Sequence, residues 1–458
     1  MGQLVFQATA GGQVALVGPN PSASFSLNVP AVSGTLVTTG DTGTVTNTML
    51  ASNAYTAPGA IGSVTPSTGA FTTLSASSTV SGAGFSTYLA SPPAIGGTAA
   101  AAGTFTTLTV GGNTQNQQLG QGNASIMKNR IINGAMMISQ RGTSFTPALY
   151  DYTLDRYQTQ VTQSSKFTIA QSTTAPAGFG FSMLATSSSA YSITSTDCFA
   201  EKQYIEGFNF YDCAWGTANA KTVTLSFWVQ SSLTGTFGGA LQNAAGNRSY
   251  PYSYTISSAN TWTQVSVTIS GDTTGTWVGA TNGVGCVVIF SLGMGSTLSN
   301  TAGAWAAGDY RSATGATSVV GTNGATFYIT GVQLEVGSSA TGFEYRQYQQ
   351  ELALCQRYFW KPANLNIAQG WGSSSTTVAR VFVKFPVTMR STPSVTALGV
   401  ITLDDQNASY TQSSTSFSDD GLNADGGRIF TANYTGLTTY RPVSVGNSSN
   451  NAWFSAEL

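Results

Sequence analysis

The sequence predicts an all-β protein made of several modules, and three observations carry that prediction. Charged residues make up only 8% of the 458 residues, against about a quarter in an ordinary soluble domain. Gly, at 52 residues, fills the gap together with Ser and Thr; Thr and the aromatics favour strands, while Gly and Asn favour the turns between them. From Ile126 onward, short apolar segments alternate at strand period rather than helix period. The length allows roughly three domains of about 150 residues each.

Composition also excludes function classes. The formal net charge is −1, from 17 basic and 18 acidic residues, with no run of like charge to neutralise a phosphate backbone or an anionic membrane. Nucleic-acid binding is therefore not expected. Histidine is absent, which removes the commonest general base near neutral pH and the commonest zinc ligand. Cys198, Cys213, Cys286 and Cys355 show no CxxC spacing, so metal and redox motifs have no support. A Cys198 to Cys213 bridge is one option, and buried free thiols are the expected state for a chain folding in a reducing cytoplasm. The stretch MGQLVFQATAGGQ lacks the basic and apolar regions of a secretory signal, and no apolar run is long enough to span a bilayer. No membrane insertion is expected, and an external role then requires lysis or another export route.

Residues 1–45 read as short strands: Leu4 to Thr9, a turn at Gly11-Gly12, Val14 to Val17, then Phe25 to Val29 closed by Pro30. So few large apolar residues bury too little surface to fold alone. Residues 46–125 contain a repeat: AIGSVTPSTGAFTTL (Ala60 to Leu74) and AIGGTAAAAGTFTTL (Ala94 to Leu108) match at an offset of 34 residues, with Pro58 and Pro92 in corresponding places. Each copy carries only Ile61, Phe71 and Leu74, or Ile95, Phe105 and Leu108, as large apolar groups. A unit that cannot hide these by itself must stack on neighbours or wind around identical chains. A disordered linker has the same composition, but it needs no fixed spacing between Ile, Phe and Leu, whereas a fibrous shaft does.

Residues 126–345 carry the strand signals Thr222 to Val229, Trp262 to Ile269, Val284 to Leu292 and Ala325 to Val336. Val223, Leu225, Phe227 and Val229 share one face, and a slip between Trp262 and Val265 marks a bulge. Two facing sheets of the jelly-roll kind follow. In residues 346–361 the spacing of Tyr348, Leu352, Cys355 and Phe359 predicts a helix from Tyr345 to Trp360, ending before Pro362. Residues 362–458 return to strands (Val378 to Val387, Ser394 to Thr402, Arg428 to Tyr434, Val443 to Val445) and read as a separate β-domain.

NRIINGAMMISQRGTSF (Asn129 to Phe145) with YTLDRY (Tyr152 to Tyr157) resembles the opening of a carbohydrate-binding-like jelly-roll module common in phage and prophage tail proteins. FYITGVQLEVGSSATGFEYRQYQQELALCQRYF (Phe327 to Phe359) is similar to its closing segment, and FVKFPVTMRSTPSV (Phe382 to Val395) to the carboxy-terminal domains that follow it. The IGGTxxxxGTFTTL units resemble shaft repeats of bacteriophage tail fibres. Tyr157 stands where the family phrase has Trp, and Gly342 where it often has Pro. The resemblance implies an elongated homotrimeric fibre of the virion tail, made in the host cytoplasm. It would dock on tail or adaptor proteins through its amino-terminal segment and adsorb to host surface polysaccharide at the other end. The alternatives are a head fibre or capsid decoration protein, and a glycan-cleaving tailspike.

Sugar recognition stacks aromatic rings on a pyranose while polar side chains bond its hydroxyls. In residues 362–458 the candidates for ligand contact are Trp371, Tyr410 and the acidic loops Asp404, Asp405, Asp419 and Asp420, with the strand-borne Tyr434 and Trp453 behind them. Aromatics in β-domains more often fill cores, and acidic loop pairs more often cap turns. Asp155 beside Arg156 reads as a structural ion pair ordering the start of the sandwich, and Glu335 and Glu344 read as structural too. No pair of acids has spacing that marks glycoside hydrolysis, so no catalytic residue and no enzyme activity is expected. Asp405, Asp419, Asp420 and Asp425 lack the DxDxDG pattern of a calcium loop; neither a metal site nor a cofactor is expected.

Overall fold

The computed structural model describes residues 5–7, 13–15, 127–362, 369–397, 402–412, 417–446 and 452–458. The predicted strand Phe25 to Val29 and the repeat residues Ile61, Phe71, Leu74, Ile95, Phe105 and Leu108 lie outside the described residues. The chain divides into two units, 1–108 and 109–458. In the first, β1 (Val5–Gln7) and β2 (Gln13–Ala15) pair antiparallel with Phe6 opposite Val14, and the predicted turn at Gly11-Gly12 lies outside the described residues.

The second unit opens with a two-sheet sandwich. Its strands are β3 (Ser144–Phe145), β4 (Tyr150–Tyr152), β5 (Tyr157–Val161), β6 (Phe167–Ser172), β7 (Ser182–Ser187), β8 (Cys198–Glu206), β9 (Val223–Ser231), β10 (Gly235–Gln242), β11 (Arg248–Ile256), β12 (Thr263–Ile269) and β13 (Val284–Met294). Three two-residue strands follow, β14 (Ser299–Asn300), β15 (Ala306–Ala307) and β16 (Ser312–Ala313), and β17 (Thr326–Val336) closes the set. One sheet runs β15-β11-β10-β13-β8-β5-β4, the other β12-β9-β17-β7-β6-β3. Val223, Leu225, Phe227 and Val229 of β9 enter the core between them, where they meet Phe290, Phe327 and Ile329. That is the face their alternation predicts.

The predicted bulge in β12 is absent: β12 pairs with β9 without a register break, and Trp262 precedes the strand, packing on Tyr328 at 6.1 Å. The shift occurs instead on β17, between Thr330 and Gln333. Gly331 sits there with φ +62°, and a Cβ would come 2.7 Å from the Phe179 ring, so only glycine takes this bend without strain.

The helix is also shorter than the apolar spacing suggests. α1 covers Tyr348–Gln356; Tyr348 is exposed, and Phe359 belongs to β18 (Phe359–Trp360). The helix stops because the Arg357 and Tyr358 amides close a tight turn on the Ala353 and Cys355 carbonyls. The chain then extends to pair with the last strand.

The carboxy-terminal β-domain, here termed the tip, adds β19 (Gln369–Gly372), β20 (Ala379–Lys384), β21 (Ser394–Ala397), β22 (Thr402–Asp404), β23 (Ser409–Thr411), β24 (Phe417–Asn423), β25 (Gly426–Thr431), β26 (Pro442–Gly446) and β27 (Ala452–Ser455). A seven-stranded sheet in the order β23-β22-β26-β19-β20-β25-β24 packs against a three-stranded sheet, β18-β27-β21. Trp360, Val381, Phe385, Leu403, Val443 and Phe454 form the core between them. The segment predicted as one strand from Ser394 to Thr402 is therefore shared, its two ends lying in different sheets.

Buried charge joins sandwich, helix and tip. Asp155 and Arg156 do not pair with each other: Asp155 accepts from the Gln140 amide (2.9 Å) and lies 3.9 Å from Arg141, while Arg156 pairs with Glu457 and donates to the Tyr204 carbonyl (2.6 Å). Adjacent residues point apart here because Arg156 takes a left-handed φ of +72°. Arg357 donates two bonds to Glu206 (2.9 and 2.6 Å), and the Tyr358 hydroxyl adds a third (2.5 Å). Glu344 accepts from the Met127 and Asn129 amides, and Glu335 from the Thr341 amide and hydroxyl. The four cysteines are free and buried.

Glu201, on the inner face of β8, is fully buried; Thr159 donates to one carboxyl oxygen (2.8 Å), and the other has no partner among the described residues. Burial pushes its pKa up to about 8 from the ordinary 4.5, against the opposing Thr159 bond. A raised carboxyl pKa means that the fold holds the protonated form, so this stability is complete below about pH 4.5 and is lost as pH rises to about 8. Glu201→Gln, which mimics the neutral acid, should raise the melting temperature at pH 8 and leave it nearly unchanged at pH 4.5. Equal effects in thermal melts at the two pH values would contradict the assignment.

Candidate functional site

The tip's seven-stranded sheet buries one face and leaves the other open. In ARVFVK, Ala379, Val381 and Val383 are buried, while Arg380, Phe382 and Lys384 face outward. Register extends that outer face across five strands. Asp404, Ser444, Gln369, Phe382 and Arg428 lie opposite one another in a single transverse row, and Pro442, Trp371 and Arg380 form the next. With strands about 4.8 Å apart, the longer row spans roughly 19 Å.

The centre of this face is aromatic. Trp371 and Phe382 lie diagonally across β19 and β20 with ring centroids 5.5 Å apart, and Phe382 is 50% exposed. Trp371 is turned outward because Gly370, beside it, has no room for a side chain: a Cβ would lie 1.8 Å from the Arg380 carbonyl oxygen. On one flank Asp420 accepts from Arg380 and Arg428, 2.8 Å each. On the other a cleft of about 450 Å³ opens, lined by Gln369, Asp404, Gln406, Arg441 and Ser444.

The sequence-derived candidates divide accordingly. Trp371, Asp404 and Asp420 share the outer face, as do Phe382, Arg380 and Arg428, which sequence reasoning missed. The signal was legible as a lone aromatic on the charged side of the ARVFVK alternation. Tyr410 pairs with Leu403 and packs on the tip core, its hydroxyl donating to Asp405 (3.0 Å). Asp405 is itself buried and accepts from the Asn407 and Ala408 amides. Asp419 is exposed but caps a turn, accepting from the Gly421 and Leu422 amides. Tyr434 is buried, and Trp453 lies on β27 away from this face.

The electrostatics favour holding rather than proton transfer. Burial pushes Asp420 up, but the Arg380 and Arg428 hydrogen bonds outweigh it and hold the carboxyl below its ordinary range. Asp405 follows the same pattern, burial being outweighed by the Ala408 and Asn407 amides and Tyr410. The Leu422 and Gly421 amides hold Asp419 low. Among the described residues no group of three or more His, Cys, Asp or Glu could hold a metal ion, and no helix is long and apolar enough to cross a membrane.

No family model and no curated protein matches the chain. Solved structures with some likeness include the enzymatically active domain of tailspike protein 4 of bacteriophage CBA120, at 12% identity over 46% of this chain and 21% of that one (TM-score 0.24). This chain thus spans about a fifth of that tailspike's length. A putative sugar binding protein from Bacteroides thetaiotaomicron is similar at 15% identity over 45% of this chain and 99% of its own (TM-score 0.26). The family 11 carbohydrate-binding module from Clostridium thermocellum is similar at 9% identity over 43% and 98% (TM-score 0.22). Likenesses this distant carry no argument about mechanism.

Adjacent residues of β20 test the two-faced reading. Val381→Ser should cost about 2–4 kcal/mol in urea unfolding, because it places a hydroxyl in the core. Phe382→Ser should cost about 1 kcal/mol or less, the loss of one exposed ring pair. Equal losses at both positions would mean that the outer face is covered.

Proposed function

We propose that the chain is a structural fibre protein of a bacteriophage tail that adsorbs to a host surface glycan through the outer face of its tip. One observation carries this reading: the half-buried Trp371 beside the exposed Phe382, flanked on the same face by Asp, Ser, Gln and Arg side chains. Aromatic rings stack on the apolar face of a pyranose, and the flanking groups donate to and accept from its hydroxyls. The sequence resemblance to tail-fibre shaft repeats and to the tail jelly-roll module supplies the viral context. In this reading three chains assemble along the repeat, dock on tail or adaptor proteins at the amino-terminal end, and present three tips together. Simultaneous engagement then multiplies a weak single-site affinity.

Binding without cleavage is the better match to the acids. A glycosidase needs one carboxyl held protonated beside the scissile bond. Asp420 on the outer face, Asp419 on the same strand and Asp405 near the opposite edge of the sheet are held below the ordinary carboxylate range instead. Asp155 and Glu201, whose pKa values are raised, are fully buried.

Glycan arrays with the full chain test the proposal. The double variant Trp371→Ala/Phe382→Ala should lose at least ten-fold in retention on the glycans that the parent binds, with the melting temperature preserved. Point variants are preferable to deleting residues 362–458, since deletion would strip Glu457 from Arg156. Undiminished retention by the double variant would overturn the tip assignment, and release of reducing ends from host polysaccharide would overturn the non-catalytic one.

A further inference from the structure

Where the edges of the sandwich meet the three-stranded sheet of the tip lies a cavity of about 430 Å³, within the range of small-ligand sites. It is distinct from the tip face. The sandwich supplies one wall from its two edge strands, β3 with Ser144 and Phe145 and β4 with Tyr152 and Asp151. The tip supplies the other. Along β27, Ala452, Phe454 and Ala456 are buried in the tip core, so Trp453 and Ser455 turn to the opposite side. Phe359, opposite Ser455, joins them, with Trp453 edge-on to it at 5.7 Å.

Charge decides the ligand class. Arg141 lines the cavity, but its guanidinium stacks on Phe359 (3.5 Å), faces Tyr152 (5.4 Å) and pairs with Glu457 (3.1 Å) and Asp155 (3.9 Å). Its charge is already answered. An anion would find no uncompensated cation and would meet Asp151. A quaternary ammonium would find the Phe359 and Tyr152 faces already taken by a guanidinium. An acyl chain would take water from the Asp151 carboxylate and offer it no donor in exchange. What remains open to a ligand is the Trp453 ring with Phe145, the hydroxyls of Ser144, Thr146 and Ser455, and the Asp151 carboxylate, which accepts from the Ala148 amide through Oδ2 (2.6 Å).

We propose that this junction cavity binds a neutral hexopyranose unit, its C–H face on Trp453 and its hydroxyls donating to Asp151, as a second saccharide site independent of the tip face. The site is complete only with the tip seated on the sandwich, because neither wall alone holds both the ring and the carboxylate.

Saturation-transfer NMR on the full chain, with methyl glucoside, galactoside and mannoside offered singly, tests this. In the Trp371→Ala/Phe382→Ala background, which removes the tip face, at least one glycoside should receive saturation that falls five-fold or more when Trp453→Leu or Asp151→Asn is added. Asp151→Asn keeps an oxygen for the Ala148 amide and so guards against misfolding in the other variant. Absence of transfer from all three glycosides, or transfer that survives both junction variants, overturns the proposal. Transfer that the parent shows and the Trp371→Ala/Phe382→Ala background has already lost also overturns it, while leaving the tip reading intact.

Discussion

Arg156 cannot stand alone inside this protein. Its side chain is 1% exposed, its guanidinium lies 3.5 Å from the centre of the Tyr358 ring, and its partners come from distant parts of the chain: Glu457 next to the last strand and the Tyr204 carbonyl in the sandwich. A buried charge deprived of its partner costs about 3–5 kcal/mol. Glu457 answers Arg141 as well, and Glu206 binds Arg357 and Tyr358 beyond the helix. In a chain with so few charges, this concentration at one joint fixes how the tip sits on the sandwich. The outer face and the junction cavity are both placed by it.

A second set of buried polar bonds closes the sandwich itself. Asn129 bonds the Val332 carbonyl and accepts from the Ile131 and Leu334 amides, and Gln203 both donates to and accepts from Ile132. Arg346 reaches the Asn129 and Ile131 carbonyls, and Glu351 accepts the Asn133 amide. Opening and closing phrases some 200 residues apart in sequence are thus two halves of one polar seam. Their residue types are constrained because buried amides and carbonyls need partners.

What was legible in the sequence follows from periodicity. β9, β12, β13 and β17 could be placed from their runs of apolar residues, whereas β10 and β11, rich in Gly, Ser and Tyr, could not. Local spacing misled where a tertiary contact overrides it: Phe359 continues the helical rhythm yet pairs with Ser455, and Trp262 stands before its strand. Among the candidates for ligand contact, chosen as aromatics and acids near polar loops, Trp371, Asp404 and Asp420 lie on the outer face of the sheet. Tyr410 and Asp405 were misplaced because composition cannot tell an inward ring bonded to its own loop from an outward one. The outer-face row depends on the register of five strands distant in sequence, which single-strand patterns do not encode.

If the joint is the governing constraint, sandwich and tip unfold as one. Full-length protein can be pulse-labelled by hydrogen exchange in rising urea, with uptake read by mass spectrometry on peptides covering β13 and β20. The two peptides should lose protection at a common midpoint. Loss of β20 protection well below the β13 midpoint would show that the tip is held independently, and the joint would then not govern the geometry of either face.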